Sequence, residues 1–391
     1  MRKTLTGVLL AGATGAALLY FSADAGSQEI ADALPRAVRA PADNPTTPAK
    51  VALGRVLFWD PLLSGPRDVA CATCHHPQFG YAENRDLSIG VTGEGLGHRR
   101  RFAAGGSIPL VKRNSQTILN VAFSGSDVDG AYDPAAAPMF WDVRARSLET
   151  QALEPLKALE EMRGHTYPED TAVDTVTLRI DAIAEYRRLF AAAFGGERAV
   201  TAANIGKALA AFQRTLTATN APFDRYMRGD RAAMSDAQVR GMRRFERIGC
   251  VRCHNGPMFS DYKLHVLGVP DNPALPASDA GAGDRGTGDR YAFRTASLRN
   301  LAFTAPYMHS GIFATLEDVL EFYDDVDSRR GNDRNPNVGR EELDPLLRQL
   351  RGVDEDDEDL IAFLEALSDP GFDRTIPARV PSGLPVGGRI Q

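Results

Sequence analysis

All four cysteines of this 391-residue chain fall in two copies of one five-residue pattern. The first is Cys71-Ala72-Thr73-Cys74-His75 and the second is Cys250-Val251-Arg252-Cys253-His254. C-x-x-C-H is the attachment signature of c-type haem. Two thiols one short turn apart can add to the two vinyl groups of a porphyrin, and the adjoining histidine is then held under the ring as proximal iron ligand. A thioredoxin-like pair would not need the histidine, and the chain shows no βαβ pattern around it. A four-thiolate zinc site would leave both histidines unexplained. The expectation is therefore two covalent haems, on Cys71 and Cys74 and on Cys250 and Cys253, with His75 and His254 on iron.

The N-terminal residues agree with this chemistry. Arg2 and Lys3 precede an apolar stretch from Leu5 to Phe21, and Ala23-Asp24-Ala25 fits a small-x-small cleavage site. Residues 1–25 read as a signal peptide cleaved after Ala25; the alternative is an uncleaved anchor. No later segment approaches the roughly 18 apolar residues that span a bilayer. The expected location is the periplasm, where c-type haem attachment is at home. The formal net charge of −6 gives no general pull toward nucleic acid, and the 36 Gly and 24 Pro imply extensive loops.

Periodicity places mostly helices. Residues 26–45 read as a linker and residues 80–113 as a long loop. Ser147–Glu161 has helical spacing, which Pro155 should end or kink. Amphipathic helices are expected over Ile180–Phe194 and Ala202–Leu216. Ser235 should cap a helix running to the second cysteine motif, Thr315 should cap one through Tyr323, and Glu355–Leu367 should form the last. Residues 268–289 read as a further loop. The fold class expected is mainly α: two cytochrome-c-like haem domains with long irregular loops. The first spans residues 46–229, the second 230–370, and an irregular tail covers 371–391.

Further motifs resemble the bacterial di-haem cytochrome c peroxidases and their MauG-like relatives. Arg113-Asn114-Ser115-Gln116-Thr117-Ile118-Leu119-Asn120 is similar to the family's RNxPTLLN segment, with Gln116 for proline. Phe140-Trp141-Asp142-Val143-Arg144-Ala145 is similar to FWDGRA, with Val143 for glycine. Leu298-Arg299-Asn300 and Thr304-Ala305-Pro306-Tyr307-Met308-His309-Ser310-Gly311 resemble LRN…TAPYMHDG. The resemblance covers about residues 46–370.

The resemblance implies roles. Counting from Trp141 gives Gln151 and Glu161 as the family's distal polar group and acid/base; Glu160 is the neighbour a one-residue slip would select. Trp141 matches an electron relay between the haems. Asn114, Thr304 and Pro306 match a calcium site. The residue 14 after His309, a methionine in ordinary members and a tyrosine in MauG-like ones, is here Tyr323. Its phenolate on the second iron would lower the potential, where Met raises it; helix packing is the alternative for Tyr323, and Met258 and Met308 are other ligand candidates. His98, within a glycine- and arginine-rich loop, would either cap the first haem at rest or belong to a solvated basic loop whose arginines help dock a partner. Partners implied are hydrogen peroxide and a small c-type cytochrome or cupredoxin, with a homodimer common in the family. Alternatives are a MauG-like oxidase of a partner protein and a non-catalytic di-haem carrier.

Overall fold

The computed structural model describes residues 33–105, 108–327, 334–354 and 357–391; the signal-peptide reading lies outside them. Ten α-helices carry the described architecture: α1 Pro48–Trp59, α2 Cys71–Cys74, α3 Leu148–Gln151, α4 Ala172–Asp181, α5 Ala184–Phe194, α6 Ala202–Gln213, α7 Pro222–Met227, α8 Asp236–Ile248, α9 Leu316–Asp327 and α10 Glu358–Glu365. Among the described residues strands form two short antiparallel pairs, β1 Gly93–Glu94 with β2 Arg101–Phe102 and β3 Leu264–Val266 with β4 Ala292–Arg294. None of the helices among the described residues is long and apolar enough to cross a membrane.

Two large apolar clusters organise the molecule. The first gathers Leu53, Leu57, Phe58 and Trp59 of α1 with Ile205, Leu209 and Phe212 of α6, Ile180 of α4, and Tyr186 and Phe190 of α5. The second gathers Phe245 and Ile248 of α8 with Leu360, Phe363 and Leu364 of α10, and Leu316, Leu320 and Phe322 of α9. Each is built on one close helix crossing. A methyl group on Gly54 of α1 would stand 2.8 Å from Phe212 Cβ of α6, and one on Gly241 of α8 would stand 2.8 Å from Phe363 Cβ of α10. Glycine at each crossing lets the backbones approach and the apolar faces close. Each cysteine motif therefore rests against the same kind of helix pair, although the flanking sequences differ.

Local capping set several boundaries. Ser235 accepts from the Gln238 amide while the Gln238 side chain accepts from the Ser235 amide, closing both ends of a capping box at the start of α8. Thr315 Oγ1 accepts from the Asp318 amide at the start of α9. The break expected at Pro155 within Ser147–Glu161 comes earlier. Helix α3 stops at Gln151, four residues before Pro155, and the chain re-forms as a π-helical turn over Leu159–Arg163. The helix expected from Ile180 is two: α4 ends at Asp181 and α5 begins at Ala184.

The segments read as linker and tail lack regular structure but are packed. Leu34 is buried beside Phe123 and Met258, and its amide donates to Asp224 Oδ1 at 2.9 Å. Asn44 is buried between Glu149 and Lys50. Residues beyond Pro370 cross back over the first cluster. Phe372 and Val380 enter it, the Gly387 amide donates to Trp59 O at 2.8 Å, and the Arg389 amide donates to Asp68 O at 2.8 Å.

Candidate active site

The two cysteine motifs open on one interior cavity of about 750 Å³ between the clusters. Cys71 and Cys74 bracket α2, while Cys250 starts a short 3-10 turn after α8, whose left-handed Gly249 ends the helix. No disulfide joins any of the four cysteines. Burial pushes Cys71 and Cys250 up to about 12 and Cys74 well above the usual thiol range. His75 Nδ1 lies 3.1 Å from Tyr81 O and His254 Nδ1 lies 3.0 Å from Phe259 O. An Nδ1–H donated to a backbone carbonyl fixes the tautomer and leaves the Nε2 lone pair for a metal. Ser115 steadies the first motif by donating to Cys74 O at 3.0 Å. Thiol pairs, oriented histidines and a largely apolar cavity fit a covalently held haem at each motif.

The chain brings most of the other sequence candidates to this cavity. Gln151 from α3, Glu161 from the π-helical turn, Trp141, Asn114, Thr304, Pro306 and Tyr323 from α9 all line it, as do Met258 and Met308. Glu161 keeps part of its surface accessible, but that surface faces the cavity. Burial pushes its carboxyl up to about 7; Arg144 opposes the shift while Glu160 and Glu154 reinforce it. Its backbone is gripped from behind: the Val91 amide donates to Glu161 O at 3.0 Å, and Gly90 lies against the carbonyls of Glu160 and Glu161.

Trp141 Nε1 donates to Asn114 O at 2.9 Å. The Trp141 ring stands edge-on to His309, which stacks on Phe293 of β4 with centroids 3.5 Å apart. Arg113 ties this contact together across the two clusters. It pairs with Asp142 at 2.8 Å and with Asp279 at 2.6 Å. Val143 occupies the glycine position of its motif and still adopts a left-handed φ of 57°. Gln116, in the proline position, accepts from Arg294 at 3.1 Å. Asn114 Nδ2 donates to Arg85 O and Asp86 O at 3.0 and 3.2 Å, which orients its amide. Burial raises the Tyr323 phenol well above its usual range, with the Cys253 and Cys250 sulfurs adding to the shift.

His98 is the candidate that the chain does not bring to this cavity. It is exposed, with Nδ1 3.1 Å from Asn84 Oδ1, and it does not line the cavity. The arginines beside it are not one surface patch. Arg100 is fully buried and donates to the carbonyls of Ile89, Gly90, Gly95 and Arg389, so it staples the loop to the C-terminal segment. Charge patterning alone cannot separate such a buried guanidinium from exposed neighbours. Sequence reading also gave no role to Arg113, Ser115 or Arg144, although each lies in a motif quoted above.

Residues 48–232 match the family of di-haem cytochrome c peroxidases. The chain is 34% identical over 366 residues to methylamine utilization protein MauG of Methylorubrum extorquens, covering 91% of this chain and 90% of the relative. It is 33% identical over 362 residues to cytochrome-c peroxidase IdrP1 of a Pseudomonas species, covering 85% and 84%. A crystal structure of a MauG-like protein associated with microbial copper homeostasis superposes with a TM-score of 0.68 at 30% identity, covering 86% of this chain and 95% of that one. Thiol pairs, oriented histidines and relatives thus agree, and the chain belongs to the di-haem cytochrome c peroxidase family of haem oxidoreductases.

Proposed function

We propose that this protein is an exported periplasmic di-haem peroxidase that reduces hydrogen peroxide to water, with electrons from a small c-type cytochrome or cupredoxin. The observation that carries the reading is Glu161, a carboxyl poised near neutrality in the wall of a cavity that also holds the His75 motif. The haem iron, when bound, supplies the site for peroxide and the change of oxidation state. Glu161 accepts a proton from one peroxide oxygen and returns it to the other, work suited to a group titrating near the operating pH. Gln151 donates a hydrogen bond to the substrate. Trp141, anchored on Asn114 O, would relay electrons between the two motifs.

His75 and His254 would hold the two haem irons, and Tyr323 would add a phenol oxygen as a further ligand at the haem of the Cys250 motif. Two cytochrome-c-like units meet near residues 229 and 230. Asn114, Thr304 and Pro306 would hold calcium, a hard ion suited to an amide oxygen and backbone carbonyls. A MauG-like oxidation of a partner protein is the second reading, and Tyr323 beside the second motif favours it. A non-catalytic carrier would leave Glu161 without a task.

The test is peroxide turnover with reduced cytochrome c. Glu161→Gln should lose roughly 10²–10⁴-fold with both haem spectra intact. Wild-type turnover in that variant would remove Glu161 as the base.

A further inference from the structure

Glu83 lies in the loop after the first motif, is 1% exposed, and has no hydrogen-bond partner at either carboxyl oxygen. An unpaired buried carboxylate is costly, so such a group favours its neutral, protonated form. Ser88 and Cys74 flank it, and both line the cavity. From Ser88 the chain runs directly to Gly90 and Val91, the residues that back Glu161. On the other side, Asn84 meets the exposed ring of His98 at 3.1 Å. Buried Glu83 thus stands beside two groups of the pocket lining, Ser88 and Cys74, and is next in the chain to Asn84, which meets the exposed His98.

We propose that Glu83 is a proton-relay residue, passing a proton through the Ser88 hydroxyl to the pocket in which Glu161 works. The inference rests on the peroxidase reading. Reduction of peroxide is H₂O₂ + 2 H⁺ + 2 e⁻ → 2 H₂O: the O–O bond breaks, and the two electrons come from the one-electron redox partner. Glu161 only moves a proton already on the substrate, so both consumed protons must arrive from outside. Glu83 delivers the two in turn, its O–H bond breaking each time and re-forming with a proton from solvent before the next electron arrives. Burial pushes its carboxyl up to about 7, against the lowering influence of Ser88, Arg85, Arg100 and Cys74. The charged and titratable groups that face it are therefore Arg85, Arg100 and Cys74, the last a thioether once haem is attached.

The experiment uses the di-haem holoenzyme as wild type, Glu83→Gln, Glu83→Asp, Ser88→Ala and Glu161→Gln. Infrared spectra at neutral pH should show protonated-carboxyl absorption with two contributions, one from Glu161 that Glu161→Gln removes and one that Glu83→Gln removes and that Ser88→Ala and Glu161→Gln retain. Wild-type turnover should fall as pH rises past neutral. Glu83→Gln should be at least tenfold slower at pH 7 and lose that alkaline limb, Glu83→Asp should restore it, and Ser88→Ala should slow turnover like Glu83→Gln. A merely structural role would leave the shape of the pH profile unchanged. Glu83→Gln with wild-type rate and profile overturns the relay, as does an unchanged carboxyl band. A wild-type enzyme that does not turn over peroxide overturns the peroxidase reading instead, and the infrared arm still reports whether Glu83 holds a proton.

Discussion

Replacing Gly90 by alanine tests how Glu161 is held. The added methyl would stand 2.8 Å from Glu161 Cα and closer still to the carbonyl oxygens of Glu160 and Glu161. Carbon atoms in contact settle at about 3.5–4.0 Å, so the two segments must part by roughly 1 Å. That separation strains or breaks the hydrogen bond from the Val91 amide to Glu161 O. Overpacking of this kind costs about 1–3 kcal/mol, and the lost hydrogen bond about 1 kcal/mol more. The catalytic cost should be larger in relative terms, because a 1 Å misplacement of a reacting group can cost about 10²-fold. Gly90→Ala should therefore bind both haems, melt at a lower temperature and turn over peroxide on the order of 100-fold more slowly. Thermal melts followed at the haem absorbance, together with steady-state turnover, read both quantities. Wild-type turnover in Gly90→Ala would refute the view that the 88–91 segment sets the position of the base.

Two further outcomes follow from departures of this chain from its family's motifs. Tyr323→Met should raise the midpoint potential of the second haem and change its ferric electron paramagnetic resonance signal; an unchanged signal would remove Tyr323 from the iron. Val143→Gly should stabilise the protein by about 1 kcal/mol, since a β-branched side chain in the left-handed region costs about 1–2 kcal/mol and glycine gives part of that back in chain entropy. A higher melting temperature with unchanged turnover is the expected result.

What could be read from the residues was whatever depends on short spacing. The cysteine motifs, the Ser235 cap and the counts from Trp141 to Glu161 and from His309 to Tyr323 are local, and the motif cysteines and histidines line one cavity with Trp141, Glu161, His309 and Tyr323. What could not be read depends on distant partners. Helical spacing over Ser147–Glu161 gave no sign of the π-helical turn, which is packed against Gly90 far back in the chain. Residues 33–45 and 371–391 have no periodicity, and only their bonds to Asp224, Glu149, Trp59 and Asp68 show that they are built in. Likewise, nothing in the run Arg99-Arg100-Arg101 distinguishes the one guanidinium that four carbonyls enclose.

The segment that crosses back over the first cluster has a consequence for the order of assembly. Thr73, inside the first cysteine motif, donates to Gly387 O at 2.9 Å, and Ser382 donates to Asp60 at 2.7 Å. A chain emerging from its N-terminus presents Cys71 and Cys74 more than 300 residues before these partners exist. The first cysteine motif thus precedes by more than 300 residues the segment that packs behind it. The wall behind the first cysteine motif closes only when residues 382–389 have arrived.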